Sequence, residues 1–398
     1  MEGRIPGQRL FCTLCFLAYF STYLGRLNFT ASLGEIAAAT GFTKPELGLV
    51  SSGFFMGYGV FQLVWGLAGD RHSPVKLVFG GIFASGALNL AMAAARSPGV
   101  MAALWLCNGI AQSAVWSPLL RLTVEVLPPR AAQQTSIRYS AAVPLGTLAT
   151  YGLCGLCAAL HAWRAAFLGA GVILIAVSLV WLVSMAPLDP PAAMAGSVRQ
   201  LPPFPRAAVA LLIPTFLAAA VNGLLRDSVQ TWMPTYLQET YGLSTASSIL
   251  FTLVLPVVNL SGVYLSGWAN RQVFRNELST AMAAFLCGGL LLGLNAALGL
   301  PLGLSLALFG LCGAMMLAAN TMLVTFVPLG LHRTGRVSAL SGILNAATYL
   351  GSTLSGYGAG RLLERSTWTA ALGALSLGAL AAAGLCIAAA GKWTGLRR

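Results

Sequence analysis

The chain has 398 residues, of which 57% are apolar and only 8% charged, whereas a soluble domain carries about 25% charged residues. With a mean hydropathy of +0.78 it has too little polar surface to be wetted as a globular protein, and a bilayer is its solvent. The net charge of +13 does not mark a nucleic-acid binder, because the basic residues are scattered in ones and twos between apolar runs, as the positive-inside rule distributes them.

A membrane helix needs about 20 predominantly apolar residues. Twelve runs qualify in chain order: 9–34, 46–69, 76–96, 99–122, 133–160, 164–186, 207–237, 244–269, 278–298, 301–329, 336–361 and 367–391. The first follows Arg4 and Arg9 and continues through Arg26 without a small-residue cleavage site, so it reads as a membrane helix and not a cleaved leader. Between the sixth and seventh runs lies a Pro-rich polar stretch, Pro187-Leu188-Asp189-Pro190-Pro191 through Leu201-Pro202-Pro203-Phe204-Pro205. The expected organisation is therefore an all-α membrane protein with twelve transmembrane helices in two pseudo-symmetric six-helix bundles, residues 1–186 and 207–398, joined by a cytoplasmic linker over 187–206.

With the N-terminus placed in the cytoplasm, 16 of the 23 Lys and Arg residues fall on the cytoplasmic side and 5 on the outer side. That bias puts both termini inside. The two left over, Arg26 and Arg226, lie inside the first and seventh runs, 200 positions apart. A charge at membrane depth costs about 2.5–3.5 kcal/mol on insertion scales. Two such charges at matching positions of two halves are expected to face one cavity and hold an anion, since guanidinium binds phosphate or carboxylate through a planar fork. Gly69-Asp70-Arg71 after the second run and Ala269-Asn270-Arg271 after the eighth repeat at the same offset. Six helices per half give parallel repeats about an axis along the membrane normal, with the substrate site between them.

Several features carry no chemistry. Cys12-x-x-Cys15 and Cys154-x-x-Cys157 have redox spacing but sit in apolar runs with no His partner, and read as packing residues. His72, His161 and His332 lie near loops, apart from any acid–nucleophile set. There is no Gly-x-x-x-x-Gly-Lys-Ser/Thr loop for ATP. No enzyme activity, metal or cofactor is expected. Gly53, Gly57 and Gly59 in the second run, and Gly342, Gly351 and Gly356 in the eleventh, are expected to permit close helix contact.

Gly66-Leu67-Ala68-Gly69-Asp70-Arg71-His72-Ser73-Pro74-Val75-Lys76 resembles the signature between helices 2 and 3 of major facilitator transporters, which implies a coupling or gating role for Asp70 and Arg71. The second-half copy has Asn270 in place of the acid, so a latch there is expected to be weaker. Tyr23-Leu24-Gly25-Arg26-Leu27-Asn28-Phe29 and Leu225-Arg226 followed by Trp232-Met233-Pro234-Thr235-Tyr236-Leu237 resemble the helix-1 and helix-7 motifs of the organophosphate:phosphate antiporters, the family of bacterial glycerol-3-phosphate and hexose-6-phosphate transporters. Trp116-Ser117-Pro118 with Arg121, and Tyr349-Leu350-Gly351, resemble its helix-4 and helix-11 segments. The resemblance spans essentially the whole chain. It implies exchange of an organophosphate for inorganic phosphate, with the substrate phosphate bound by Arg26 and Arg226.

The expected substrate-contacting set is Arg26, Arg226, Tyr23, Tyr349, Asn28, Gln62, Trp116, Asn222 and Gln230, with Asp227 in a coupling or structural role. Gln62 stands where the glycerol-3-phosphate members carry Lys, Val143 where they carry His, and Leu27 where they carry a basic residue, while Asp227 is added. These departures widen the expected substrates to a phosphodiester, phosphonate or carboxylate. They keep open a proton-coupled organic-anion symporter, and a transporter-like membrane sensor of a phosphorylated metabolite. Partners are the small anion, inorganic phosphate as counter-substrate and the lipid of a cytoplasmic (inner) membrane; the expected functional unit is a monomer.

Overall fold

The computed structural model describes residues 8–68, 72–188, 206–330 and 337–397. The expected stretch Asp70-Arg71 and positions 189–205 of the expected linker lie outside them. The described chain is helical, and its segments group into twelve helices. In chain order α1 is Gln8–Ala31 continued by Leu33–Thr40, α2 Lys44–Ala68, α3 Pro74–Ala94, α4 Pro98–Val126, α5 Pro129–Ala159 and α6 Trp163–Met185. The second six are α7 Arg206–Tyr241, α8 Thr245–Thr252 with Val254–Ala269, α9 Glu277–Ala297, α10 Leu302–Asn320 running through a π-turn into Val327–Gly330, α11 Val337–Arg365 and α12 Trp368–Arg397.

The boundaries follow local chemistry. Ser73 and Ser97 cap α3 and α4 by accepting from the backbone N–H groups of Lys76 and Val100, each with proline in the next position. Asn276 caps α9 through Leu278 and Ser279. α1 runs on to Thr40, past the predicted end at 34, because its stop signal is Gly41 in the left-handed region at φ 72°. Among the described residues nine stretches are long and apolar enough to span a membrane. α5, α7 and α11 are not among them. α7 carries Arg226 and Asp227 within its length, which lowers its mean hydropathy.

Helices of the two bundles meet mainly in two pairs, α2 with α11 and α5 with α8, and α1 also touches α7. A two-fold relation between the halves exchanges these pairs, as the 200-residue offset leads one to expect. Close approach is possible because small residues face backbone. Gly48 and Gly356 abut each other's carbonyls across α2 and α11, and Gly57 and Gly109 abut carbonyls across α2 and α4. Gly53, Gly59 and Gly351 also face neighbouring helices, as expected; Gly342 has nothing within 4 Å of where a Cβ would be.

Two of the four apolar clusters join the bundles. One gathers Phe29, Leu33, Val50, Phe54 and Trp105 with Trp232 and Leu363. The other sets Ala31, Tyr151 and Cys154 against Ile249. Lys44 pairs with Glu239 at 2.9 Å, and Glu239 also accepts from the Trp368 indole at 2.9 Å. All of these lie toward the connections between α1 and α2, α7 and α8, and α11 and α12, the end of the molecule opposite the chain termini. The exposed ion pair contributes only about 0–1 kcal/mol, so the apolar clusters carry this closure. The other two clusters each stay within one bundle.

Candidate functional site

α1 presents Tyr23, Arg26, Leu27 and Thr30 to a cavity of about 250 Å³ between the bundles. The spacing of three, four and seven is one face of a helix. α7 contributes Arg226, Asp227, Gln230 and Thr231, one turn apart in two pairs. α2, α4, α5, α8, α10 and α11 complete the wall, while α3, α6, α9 and α12 contribute nothing to it.

The opposite face of α1 is what aims Arg26. Asn89 and Asn108 both donate to the Gly25 carbonyl, at 3.2 and 2.7 Å, and Gln112 donates to the Thr22 carbonyl at 3.1 Å. Ser85 ties the set together, donating to Asn108 at 2.6 Å and accepting from Gln112 at 2.9 Å. Interhelical hydrogen bonds of this kind are worth about 0.6–2 kcal/mol each in lipid. Gly25 has no room for a Cβ, which would strike Leu174 and the Asn89 amide. α1 is therefore pinned in rotation against α3, α4 and α6, and Arg26 points away from them into the cavity.

Arg26 sits in an aromatic surround. Its guanidinium carbon lies 5.1 Å from the Tyr23 ring centre, 4.8 Å from Tyr58 and 5.6 Å from Phe54, and Nη2 is 3.5 Å from the Tyr349 hydroxyl. Ring faces stabilise a cation by about 0.5–2 kcal/mol each, which holds the charge without cancelling it. Arg226 is held differently. Its Nε and Nη2 donate to the two Asp227 carboxylate oxygens at 2.8 and 3.0 Å, a fork-to-fork pair. Tyr349 and Arg26 are both within electrostatic reach of Arg226. Among the described residues the charged groups lining the cavity are Arg26, Arg226 and Asp227, giving a net charge of +1.

Arg226 and Asp227 leave the helix about 100° apart, yet they pair. A long arginine folds back along the helix surface, and both side chains end in the same cavity.

Of the other expected contacts, Tyr23, Gln230 and Tyr349 line the cavity. Asn28 does not: it is fully buried on the pinned face and donates to Asn89 at 2.8 Å. Asn222 is equally buried and donates to Asn320 at 3.2 Å, joining α7 to α10. Gln62 lies beyond the cavity, where it accepts from Asn345 at 2.9 Å and bridges α2 to α11. Trp116 is 4.6 Å from the Tyr19 ring, centre to centre, in the core of the first bundle. Each supports the helices that carry the site and does not face the cavity. Phe54 and Tyr58 were missed as site residues; a phenylalanine and a tyrosine one turn apart in glycine-rich α2 were the available signal. Val143 lines the cavity as an apolar wall, and Asn259 lines it with its Oδ1 unpaired. All eight cysteines are free, and Cys12, Cys15, Cys154 and Cys157 are buried in apolar clusters. Among the described residues no group of three or more His, Cys, Asp or Glu is placed to hold a metal.

Comparison with known proteins agrees with this architecture. The chain is 24% identical over 384 residues to the glycerol-3-phosphate transporter of Bacillus subtilis (strain 168), covering 89% of this chain and 85% of that protein. It is 27% identical over 409 residues to the 3-(3-hydroxy-phenyl)propionate transporter of Escherichia coli (strain K12), covering 97% and 96%. A bacterial homologue of the human lysosomal transporter Spinster, solved in an inward-facing and occupied conformation, superposes with a TM-score of 0.80 at 14% identity over 99% of this chain and 97% of that one. The sequence pattern of the Major Facilitator Superfamily matches residues 15–354. A multi-pass helical protein with its cavity between two six-helix bundles and a match over most of its length, this chain belongs to the Major Facilitator Superfamily.

Proposed function

We propose that the protein is a secondary transporter of a small organic anion, bound between the bundles by Arg26 and Arg226. The observation that carries this reading is the meeting of two guanidiniums, one from each half, in a single cavity of about 250 Å³. Drug-sized ligands occupy about 300–1,000 Å³, so this volume suits a small metabolite. An anion touching both halves draws them together and gives alternating access its driving force. The conformation described here is closed at the end bearing Lys44, Glu239 and Trp368, which the distribution of basic residues assigns to the outer face of a cytoplasmic membrane. The protein works as a monomer with both termini in the cytoplasm, exchanging an organophosphate for inorganic phosphate.

A carboxylate is the second reading. The Arg226–Asp227 pair leaves one uncancelled positive charge in the lining, which matches a monoanion, and the similarity to a phenylpropionate transporter supports it.

The test is counterflow in proteoliposomes preloaded with phosphate and presented with labelled glycerol 3-phosphate, hexose 6-phosphate and 3-(3-hydroxyphenyl)propionate. Uptake of a phosphate ester that depends on internal phosphate is the expected result. Uptake of the propionate alone, independent of phosphate, replaces exchange with the carboxylate reading. Binding without flux of any of them makes the protein a sensor and overturns transport.

A further inference from the structure

The transport reading leaves Asp227 without a task, and its place in the cavity gives it one. It stands in the wall beside Arg226, with both carboxylate oxygens engaged by the guanidinium and a side chain only 6% exposed. Two guanidiniums and one carboxylate leave a surplus of one positive charge in the lining. When the cavity closes over a ligand, water leaves, and uncancelled charge in the low dielectric that remains is strongly unfavourable. A monoanion brings the sum to zero. A dianion carries it to minus one, unless a lining group takes up a proton.

The titratable groups facing the cavity are few. α1 contributes Tyr23 and Arg26, α5 Tyr151, α7 Arg226 and Asp227, and α11 Tyr349, with Tyr58 of α2 behind Arg26. α4, α8 and α10 line it with side chains that do not titrate. Among the described residues of this lining, Asp227 is the one carboxylate and so the one group with an open site for a proton.

We infer that Asp227 matches proton uptake to ligand charge: a dianion enters the site together with one proton, which Asp227 takes from the solvent open to the cavity, and a monoanion enters with none. Protonation also releases the Nε–Nη2 edge of Arg226, so that its fork turns from Asp227 to the ligand. The proton returns to solvent when the anion leaves and the Arg226–Asp227 pair re-forms. Both loaded states are then neutral, and one cavity accommodates both ligand charges. This inference rests on the reading of the cavity as an anion site.

The test is calorimetric binding to the full-length protein in lipid nanodiscs, in buffers of different ionisation enthalpy so that protons are counted. Glycerol 3-phosphate, whose second ionisation lies near about pH 6, serves as the dianion at pH 7.5–8.5, with inorganic phosphate at pH 8.5 as a second dianion. The monoanion is 3-(3-hydroxyphenyl)propionate. The expected result is about one proton taken up per dianion, with affinity weakening about tenfold over that unit of pH, and neither effect for the monoanion. Asp227→Asn should abolish the proton uptake that accompanies dianion binding and flatten its pH dependence. Dianion binding without proton uptake, uptake that persists in Asp227→Asn, or binding of the monoanion but of no dianion overturns the inference and leaves the transport reading intact. Should the Asn variant fail to fold, the wild-type proton count decides. If none of these anions binds, the transport reading fails and the inference falls with it.

Discussion

Arg26→Lys should weaken glycerol 3-phosphate binding about 30-fold, and Arg26→Gln about 1,000-fold, in equilibrium titrations of the reconstituted protein. The first figure corresponds to about 2 kcal/mol and the second to about 4 kcal/mol, within the range lost when one partner of a buried, hydrogen-bonded charge pair is altered. Lysine keeps the charge but gives up the fork. Arg226→Lys should cost less, about tenfold, because the wild-type guanidinium must first give up its two-bond pair with Asp227 before it can face the ligand. The sequence treats the two arginines as equivalent partners, whereas their surroundings rank them. Arg26 stands among aromatic rings and one phenol, and Arg226 stands against a carboxylate. Equal losses at both positions would mean that opening the Arg226–Asp227 pair costs the wild-type protein little.

Gly223→Ala should destabilise the protein by about 1–3 kcal/mol, the usual cost of forcing extra volume into a packed interface, and should weaken anion binding at the same time. A Cβ at Gly223 would lie on the Thr348 carbonyl of α11, and one at Gly351 would lie on the Ala220 carbonyl of α7. The two helices touch backbone to backbone at these points, and they carry Arg226 and Tyr349 into the cavity. A methyl group between them moves both site residues. Gly342→Ala is the matched control. Nothing lies within 4 Å of a Cβ there, and alanine is about 0.5–1 kcal/mol better than glycine inside a helix, so its stability should hold or rise. Thermal unfolding of the two variants side by side checks the contrast. Equal stability would show that the α7–α11 contact is slack.

Much of the fold was legible because lipid imposes a simple rule. Each membrane crossing is a helix of predictable length, so twelve apolar runs became twelve helices, and two charges in them had to face a cavity. The residues behind Arg26 were less legible. Asn28 lies two positions from it and shares its resemblance motif, yet it turns to Asn89 on the opposite face of α1. Sequence spacing places Asn28 off the Arg26 face, but only the partners on α3 and α4 say what it does there. Gln62 was placed in the site because of where related transporters carry lysine, while its amide bridges α2 to α11 outside the cavity. The aromatic surround of Arg26 comes from three helices, and no local pattern declares such a convergence. Asp227 was visible as an added acid. Its pairing with Arg226 depends on the reach of an arginine side chain, which Cβ directions alone do not show.

The most direct measurement is an experimental structure of the protein determined with glycerol 3-phosphate bound. The phosphate is expected in the cavity between α1 and α7, with oxygens about 2.7–3.2 Å from the guanidinium nitrogens of both Arg26 and Arg226. A phosphate bound elsewhere, or held by Arg226 while Arg26 stays enclosed by its aromatic rings without contacting it, would contradict it.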